Sequence, residues 1–381
     1  MRPILKWSIA LLALLVALPL KAQEPPPIDA FAYLFPHPTG TNGYEEWVKA
    51  GALVSRNEFA NRVTKDSRAP LSDIRKLLKE TDIQMARTLF YAGMEKPATD
   101  PRTEMELDTL IPEFSLFRAY ARLHAKEIVL YLADGKNAEA IKALRTGLQF
   151  GRLVQQKTLI SGLVGIAIDA LVLKPFDGAL EKFSAKDCDA LLSVVKEWLQ
   201  DKSPAADVLS ADERWVRHVL QKFKDKPSSL FAALSERGVP DDTIRSFQGN
   251  GVDIGATLAQ ADRKVDAYYQ SMLEGLKVPA YQRKPISGIS EETLGGKIAS
   301  LYCPTLKHFG DTYDKIRSRV QTLGVRLYLR KYYLERRRFP ESLSDLSLGA
   351  LALDPFTGKP FEYQREGALY ALKFRDPKFN D

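Results

Sequence analysis

Asp169 is the sharpest chemical feature of this 381-residue chain. It interrupts the run Leu159 to Leu173, in which every other residue is apolar or small. A carboxylate in such a setting either finds a partner or keeps its proton. Asp169 therefore reads as one half of a core ion pair, as a rim residue, or as the acid of a site. Glu213, beside Arg214 and Trp215, presents the same choice. Two such carboxylates about 5–10 Å apart would form the acid and base of a glycoside-type hydrolase. His124 and Glu127 stand three apart on a helical pattern. Di-iron bundles use Glu-x-x-His from two helices, with the carboxylate first, so the reversed, unrepeated order here favours a core histidine. His124 is the one candidate metal ligand, and no His-Glu-x-x-His zinc motif exists.

Other familiar chemistry is missing from the residues. Gly249-Asn250-Gly251-Val252-Asp253-Ile254-Gly255 has one residue too many for a dinucleotide loop, and Thr243 to Phe247 before it is not strand-like. Gly295-Gly296-Lys297 lacks the rest of a phosphate-binding loop, and no Gly-x-Ser-x-Gly elbow occurs. No cofactor is expected. Cys188 and Cys303 could pair in an oxidising compartment, closing a loop worth roughly 4–5 kcal/mol in the chain-entropy model. The alternative is two separate buried thiols. Neither lies in a recognisable catalytic signature.

The address comes from the first 22 residues. Arg2 and Lys6 precede an apolar run from Trp7 to Leu20, and Ala22 follows Pro19 as a small residue at a cleavage point. That order is a secretory signal peptide. The rival is a retained anchor, but 14 helical residues span about 21 Å against a bilayer core of about 30 Å. The chain is therefore expected to be exported, periplasmic or extracellular, with no stable membrane span after cleavage. The formal charge of +7 falls to +4 once Arg2, Lys6 and Lys21 leave. So mild a charge gives no reason to expect nucleic acid. Arg326, Arg330, Lys331, Arg336, Arg337 and Arg338 interleave with Tyr328, Tyr332 and Tyr333. On an exported protein this reads as a contact surface for a protein, an anionic envelope polymer or a membrane surface.

These residues need elements to hold them. Helical periodicity runs from about Asn42 to Arg338. One helix is expected over Leu71 to Ala92, with Ile74, Leu77, Leu78, Met85 and Leu89 as its stripe and Gly93 as its stop. Glu113 to Asp134 and Ala138 to Gln156 form a helical hairpin, with Gly135 in the left-handed turn and Asn137 as a cap. Thr158 to Leu173, apolar all round, is expected as a central core helix. Ser184 and Asp187 are spaced like a capping box. The expected organisation is a signal peptide at 1–22, a Pro-rich leader at 23–41 and a helical bundle at 42–240. A Gly-rich linker or loop at 241–255 leads to a second helical part at 256–338 ending in a long helix, then a turn and β-hairpin at 339–381. The fold class is mainly α: an irregular antiparallel helical bundle with a small C-terminal β-hairpin.

Three resemblances add to this. Gly135 followed by Glu139-Ala140-Ile141 and Leu144 resembles the turn and second helix of a tetratricopeptide unit, over 113–157, without a second copy. Arg338-Phe339-Pro340-Glu341-Ser342-Leu343, then Asp354-Pro355-Phe356-Thr357-Gly358-Lys359-Pro360-Phe361-Glu362-Tyr363, resembles the end of type II secretion pseudopilins. The same ending, with Tyr44 to Val48 and Glu113 to Ile168, is similar to a group of uncharacterised exported helical bacterial proteins. The pseudopilin likeness covers about 75 residues and lacks that family's prepilin-peptidase start. In calcium-binding pseudopilins the last loop carries acidic ligands, and only Asp376, Asn380 and Asp381 follow the hairpin here. The expectation is an exported helical scaffold or binding protein of the bacterial envelope. The alternatives are an envelope-polymer hydrolase using Asp169 and Glu213, and a soluble accessory of a secretion or pilus system.

Overall fold

The computed structural model describes residues 29–102, 111–200, 204–236, 239–247, 252–284, 286–303 and 307–373. The expected signal peptide, the first six residues of the leader, and Asp376, Asn380 and Asp381 lie outside them. The described chain is mainly α, closed by one antiparallel β-hairpin.

The N-terminal part holds α1 (Asp29–Leu34), α2 (Gly43–Arg56), α3 (Glu58–Lys65), α4 (Leu71–Leu77) and α5 (Thr81–Met94). Asn42 caps α2 by accepting from the Tyr44 amide at 3.0 Å, and its Nδ2 donates to the Thr99 carbonyl at 2.7 Å. The single helix expected over Leu71 to Ala92 is two. Its apolar residues explain the break. Ile83 comes nine residues after Ile74, about half a turn away on a continuous helix, yet both are fully buried. Turn bonds at Lys79 and Glu80 and an extended Glu80 swing α5 so that Ile83, Ala86 and Phe90 face the core, while Met85 is exposed. Gly93 is not a stop. It lies inside α5, where any side chain would collide with Trp47 and the Gly43 backbone.

The helical hairpin follows as α6 (Glu113–Ala133) and α7 (Asn137–Val154). Gly135 takes φ 71° and the Lys136 amide reaches back to the Tyr131 carbonyl at 2.8 Å, the left-handed helix end expected there. Asn137 does not cap α7. It is the first helical residue, and its Nδ2 donates to Asp187 at 3.0 Å on a later helix.

Helix α8 (Leu159–Leu173) occupies the centre. Thr158 and Ser161 form its capping box. Val164 and Ile168 belong to an N-terminal core with Tyr44, Trp47, Phe90, Phe117 and Phe150. Leu159, Ile166, Val172 and Leu173 belong to a second, larger core. A helix between two cores has little solvent face, here the exposed Ile160 near its start, which is why its sequence is apolar all round. The stretch Leu159–Gly178 is long and apolar enough to cross a membrane by composition, but most of it is buried against other helices.

The second core is completed by α9 (Ala185–Gln200), α10 (Pro204–Asp225), α11 (Pro227–Glu236), α12 (Asp241–Phe247), α13 (Ile254–Leu276), α14 (Leu294–Tyr302) and α15 (Lys307–Arg336). Ser184 and Asp187 exchange the expected capping bonds at the start of α9. The stretch 241–255 contains α12, and residues on both sides of it, Leu220 and Val265 among them, share one core. A third, small core joins α15 to the C-terminal segment through Val325, Leu329, Leu343, Leu351 and Phe361. Strands β1 (Glu362–Glu366) and β2 (Leu369–Lys373) pair in register Tyr363 to Leu372. Asp354 organises the turn before them. Its carboxylate accepts from the Phe356 amide and its carbonyl from the Gly358 amide, both at 2.8 Å.

Candidate functional site

Asp169 is buried on α8, and its Oδ2 accepts from the Trp198 indole Nε1 of α9 at 3.2 Å. Its Oδ1 has no protein partner and faces Gly151 of α7, where any side chain would collide with it. Burial holds the carboxyl well above the ordinary carboxylate range, against the weaker pull of Trp198 and Arg152. The folded state thus keeps a proton that the unfolded chain releases. That stability is complete below the ordinary value near 3.8 and is lost as pH rises. Asp169→Asn copies the protonated form. It is expected to melt a few degrees above wild type near pH 7, with the difference vanishing near pH 3. Scanning calorimetry at the two pH values checks this, and a lower melting temperature at pH 7 refutes it.

Glu213 does not join Asp169. It lies on α10 beside Arg217, whose Nη1 is 3.4 Å away and whose guanidinium also binds Asp262 and Asp266 of α13. Burial, then Asp266, raises its pKa. The neighbouring Asp212, which the sequence reading passed over, is the structural carboxylate. It accepts from the Leu159 amide at 2.9 Å and from the Tyr269 hydroxyl at 2.6 Å, tying α10 to the start of α8 and to α13. Its signal was its place among the buried stripe Val208, Leu209 and Val216. Asp169 lies ten residues beyond Leu159, about 15 Å along α8. Glu213, next to Asp212 on α10, therefore stands by the start of α8, well away from Asp169 on its later turns.

His124 is a core residue. Its Nδ1 is 3.2 Å from Glu127 and its Nε2 is 2.8 Å from the Ala143 carbonyl of α7, so neither nitrogen is open to a metal. Glu127 also pairs with Arg87 of α5 and accepts from the Tyr131 hydroxyl at 2.9 Å. These partners overcome its burial and hold its pKa near 2. No three His, Cys, Asp or Glu side chains among the described residues group to hold a metal.

A second buried network stands at the start of α6. Arg102 binds Asp100 at 2.8 Å and pairs with Glu113, which accepts from the Tyr44 hydroxyl at 3.2 Å. Burial raises the Glu113 pKa against the pull of Arg102. Cys188 and Cys303 are both free and buried, not joined. They have different surroundings: Cys188 lies near Arg330 and Lys331, Cys303 near Tyr269 and Asp212. Burial pushes the two thiols up to about 11 and about 12, which suits inert core residues.

The basic face of α15 is divided. Arg326 donates to the Asp177 carbonyl at 2.6 Å, Arg330 to the Phe183 carbonyl at 3.1 Å, and Lys331 binds Asp189 at 2.5 Å. These three staple α15 to α9 and to the connection before it, because the carbonyls of the short 3₁₀ turns there need donors. Of the basic residues on this face, Arg336, Arg337 and Arg338 are the exposed ones.

The sequence reading also missed Arg118 and Arg122 on α6. Both are half-buried, the Nε of each is enclosed without an acceptor, and neither makes an ion pair with any described residue. Burial lowers both pKa values, and Arg118 adds to the effect at Arg122. One turn on, the buried Lys126 donates to the Asp66 carbonyl at 2.5 Å. The available signal was three cations spaced four residues apart with no acid spaced to pair with them on that side of the helix. No family model, curated protein or solved structure matches the chain.

Proposed function

We propose that the chain is an exported helical scaffold or binding protein of the bacterial envelope. The observation that carries this reading is the use made of its buried polar groups. Asp169, Asp212, His124, Glu127, Arg326 and Arg330 each fasten one helix to another segment. The result is a braced frame around α8. The exposed Arg336 to Arg338 at the end of α15 supply a cationic contact region for a protein or an anionic envelope polymer. A second reading, a soluble accessory of a secretion or pilus system, is favoured by one observation. The pseudopilin-like segment folds as a unit on α15, with its own small core and an Asp354-centred turn.

The purified protein without its first 22 residues, immobilised and exposed to envelope extract, is expected to retain a defined protein or polymer. Arg336→Ala with Arg337→Ala is expected to weaken that retention without lowering the melting temperature. An extract from which nothing is retained removes the reading.

A further inference from the structure

We propose that Arg118, Arg122 and Lys126 of α6 form a binding site for a phosphate-type oxyanion, held between the two guanidinium groups. The inference specifies a ligand for the binding-protein reading and rests on that reading for its biological sense.

Several other half-buried arginines in this chain have a carboxylate: Arg87 has Glu127, Arg102 has Asp100 and Glu113, and Arg283 has Asp314. Among the described residues Arg118 and Arg122 have none, and their Nε atoms are closed off from solvent. Removing a guanidinium from water without a counter-charge is unfavourable. Placing a second one a helical turn away compounds this, since like charges at this spacing repel. Lys126 extends the run, and Lys174 adds a fourth positive charge nearby, with Asp66 as the acid acting on Lys126. Local folding gains nothing from such an arrangement. A bound anion would relieve it.

The geometry also selects the anion. Arginine presents a planar fork of N–H donors that matches carboxylate and phosphate oxygens. Residues four apart on a helix have Cβ atoms about 5–6 Å apart, so both forks can grip one tetrahedral group. A carboxylate carries one charge and two oxygens. A phosphate monoester carries about −1.5 to −2 and three free oxygens, closer to what two guanidinium groups and an ammonium demand. The half-buried side chains keep one side open to solvent, which lets the ion enter, while their desolvation strengthens its hold.

The test is calorimetric titration of the folded protein with inorganic phosphate at low ionic strength, with acetate as the carboxylate control. Phosphate is expected to bind and acetate to bind far more weakly. Arg118→Gln and Arg122→Gln should each weaken phosphate binding by roughly 10- to 100-fold, the loss expected for charge-assisted hydrogen bonds. Without phosphate, both variants should melt at or above the wild-type temperature, because an unpaired buried charge has gone. A purely structural role would lower it. Phosphatidylglycerol vesicles distinguish the sources. Retention on vesicles that is lost in both variants assigns the group to a lipid headgroup, and phosphate binding without retention assigns it to a soluble ligand. Absence of phosphate binding by the wild type, unchanged binding by both variants, or equal binding of acetate overturns the proposal. Retention of an envelope partner despite that failure would leave the scaffold reading standing, and phosphate binding with no retained partner would remove the scaffold reading alone.

Discussion

Glu127→Ala is expected to destabilise the folded protein by about 3–5 kcal/mol, the loss typical when one member of a buried ion pair is removed. Glu127 is almost fully buried and serves Arg87, Tyr131 and His124 at once. Alanine removes the ion-pair partner of Arg87, leaving it a long contact with Gln84 at 3.5 Å, and takes away the partner of the buried His124 Nδ1. Denaturant unfolding measures the effect. A double-mutant cycle with Arg87→Ala separates the pair from the cavity, and a coupling energy near zero would refute the ion-pair account.

The same carboxylate sets an acid limit. Its pKa is held near 2 in the folded protein, against an ordinary value of 4.5. A depressed value means stability that is present above pH 4.5 and lost as pH falls through 2. A tenfold difference in proton affinity between the folded and unfolded states corresponds to about 1.4 kcal/mol, so Glu127 contributes roughly 3 kcal/mol across that window. Wild type is expected to lose stability steeply below pH 4.5. Glu127→Ala should lose less there, and the two curves should converge towards pH 2. Parallel curves would show that other carboxylates control the acid limb.

Gly51→Ala is expected to lower stability by about 2–3 kcal/mol, although alanine is the better helix former by about 1 kcal/mol. Gly51 lies inside α2, where a Cβ would sit 2.6 Å from the Leu116 carbonyl oxygen and 2.7 Å from the Leu116 Cβ of α6. Backbone cannot swing aside as a side-chain tip can. The two helices must part, disturbing the aromatic cluster of Tyr44, Trp47, Phe117 and Phe150 that fills the same interface. Overpacking of this kind costs about 1–3 kcal/mol. Gly178→Ala, where a methyl meets nothing within 4 Å, provides the control. A Gly51→Ala variant as stable as wild type would mean that α2 and α6 are not in close contact.

The central helix was legible because its apolar residues occupy every face, a pattern only a doubly buried helix needs. The left-handed Gly135, the Ser184–Asp187 cap and the C-terminal hairpin were legible because each depends on residues within a few positions. The break between α4 and α5 was not. Ile74 and Ile83 fit one long helix locally, and only the core they share places them on one side. Gly93 likewise resembled a stop, since the sequence carries no sign of the Trp47 and Gly43 that crowd it.

The candidate site divides along the same line. Asp169 announced itself by standing alone in an apolar run, and burial was the correct inference from that run. Its separation from Glu213, the structural importance of Asp212, and the staples at Arg326, Arg330 and Lys331 all depend on partners more than 25 residues away in sequence. Sequence by itself determined the helical class, the central helix, the local turns and the identity of the unusual carboxylate, because hydrophobic periodicity and turn chemistry are short-range. Tertiary structure alone decided which charges are neutralised. An ion pair is a property of two distant segments, and that is why Arg118 and Arg122, without a carboxylate among the described residues, became visible only in the folded chain.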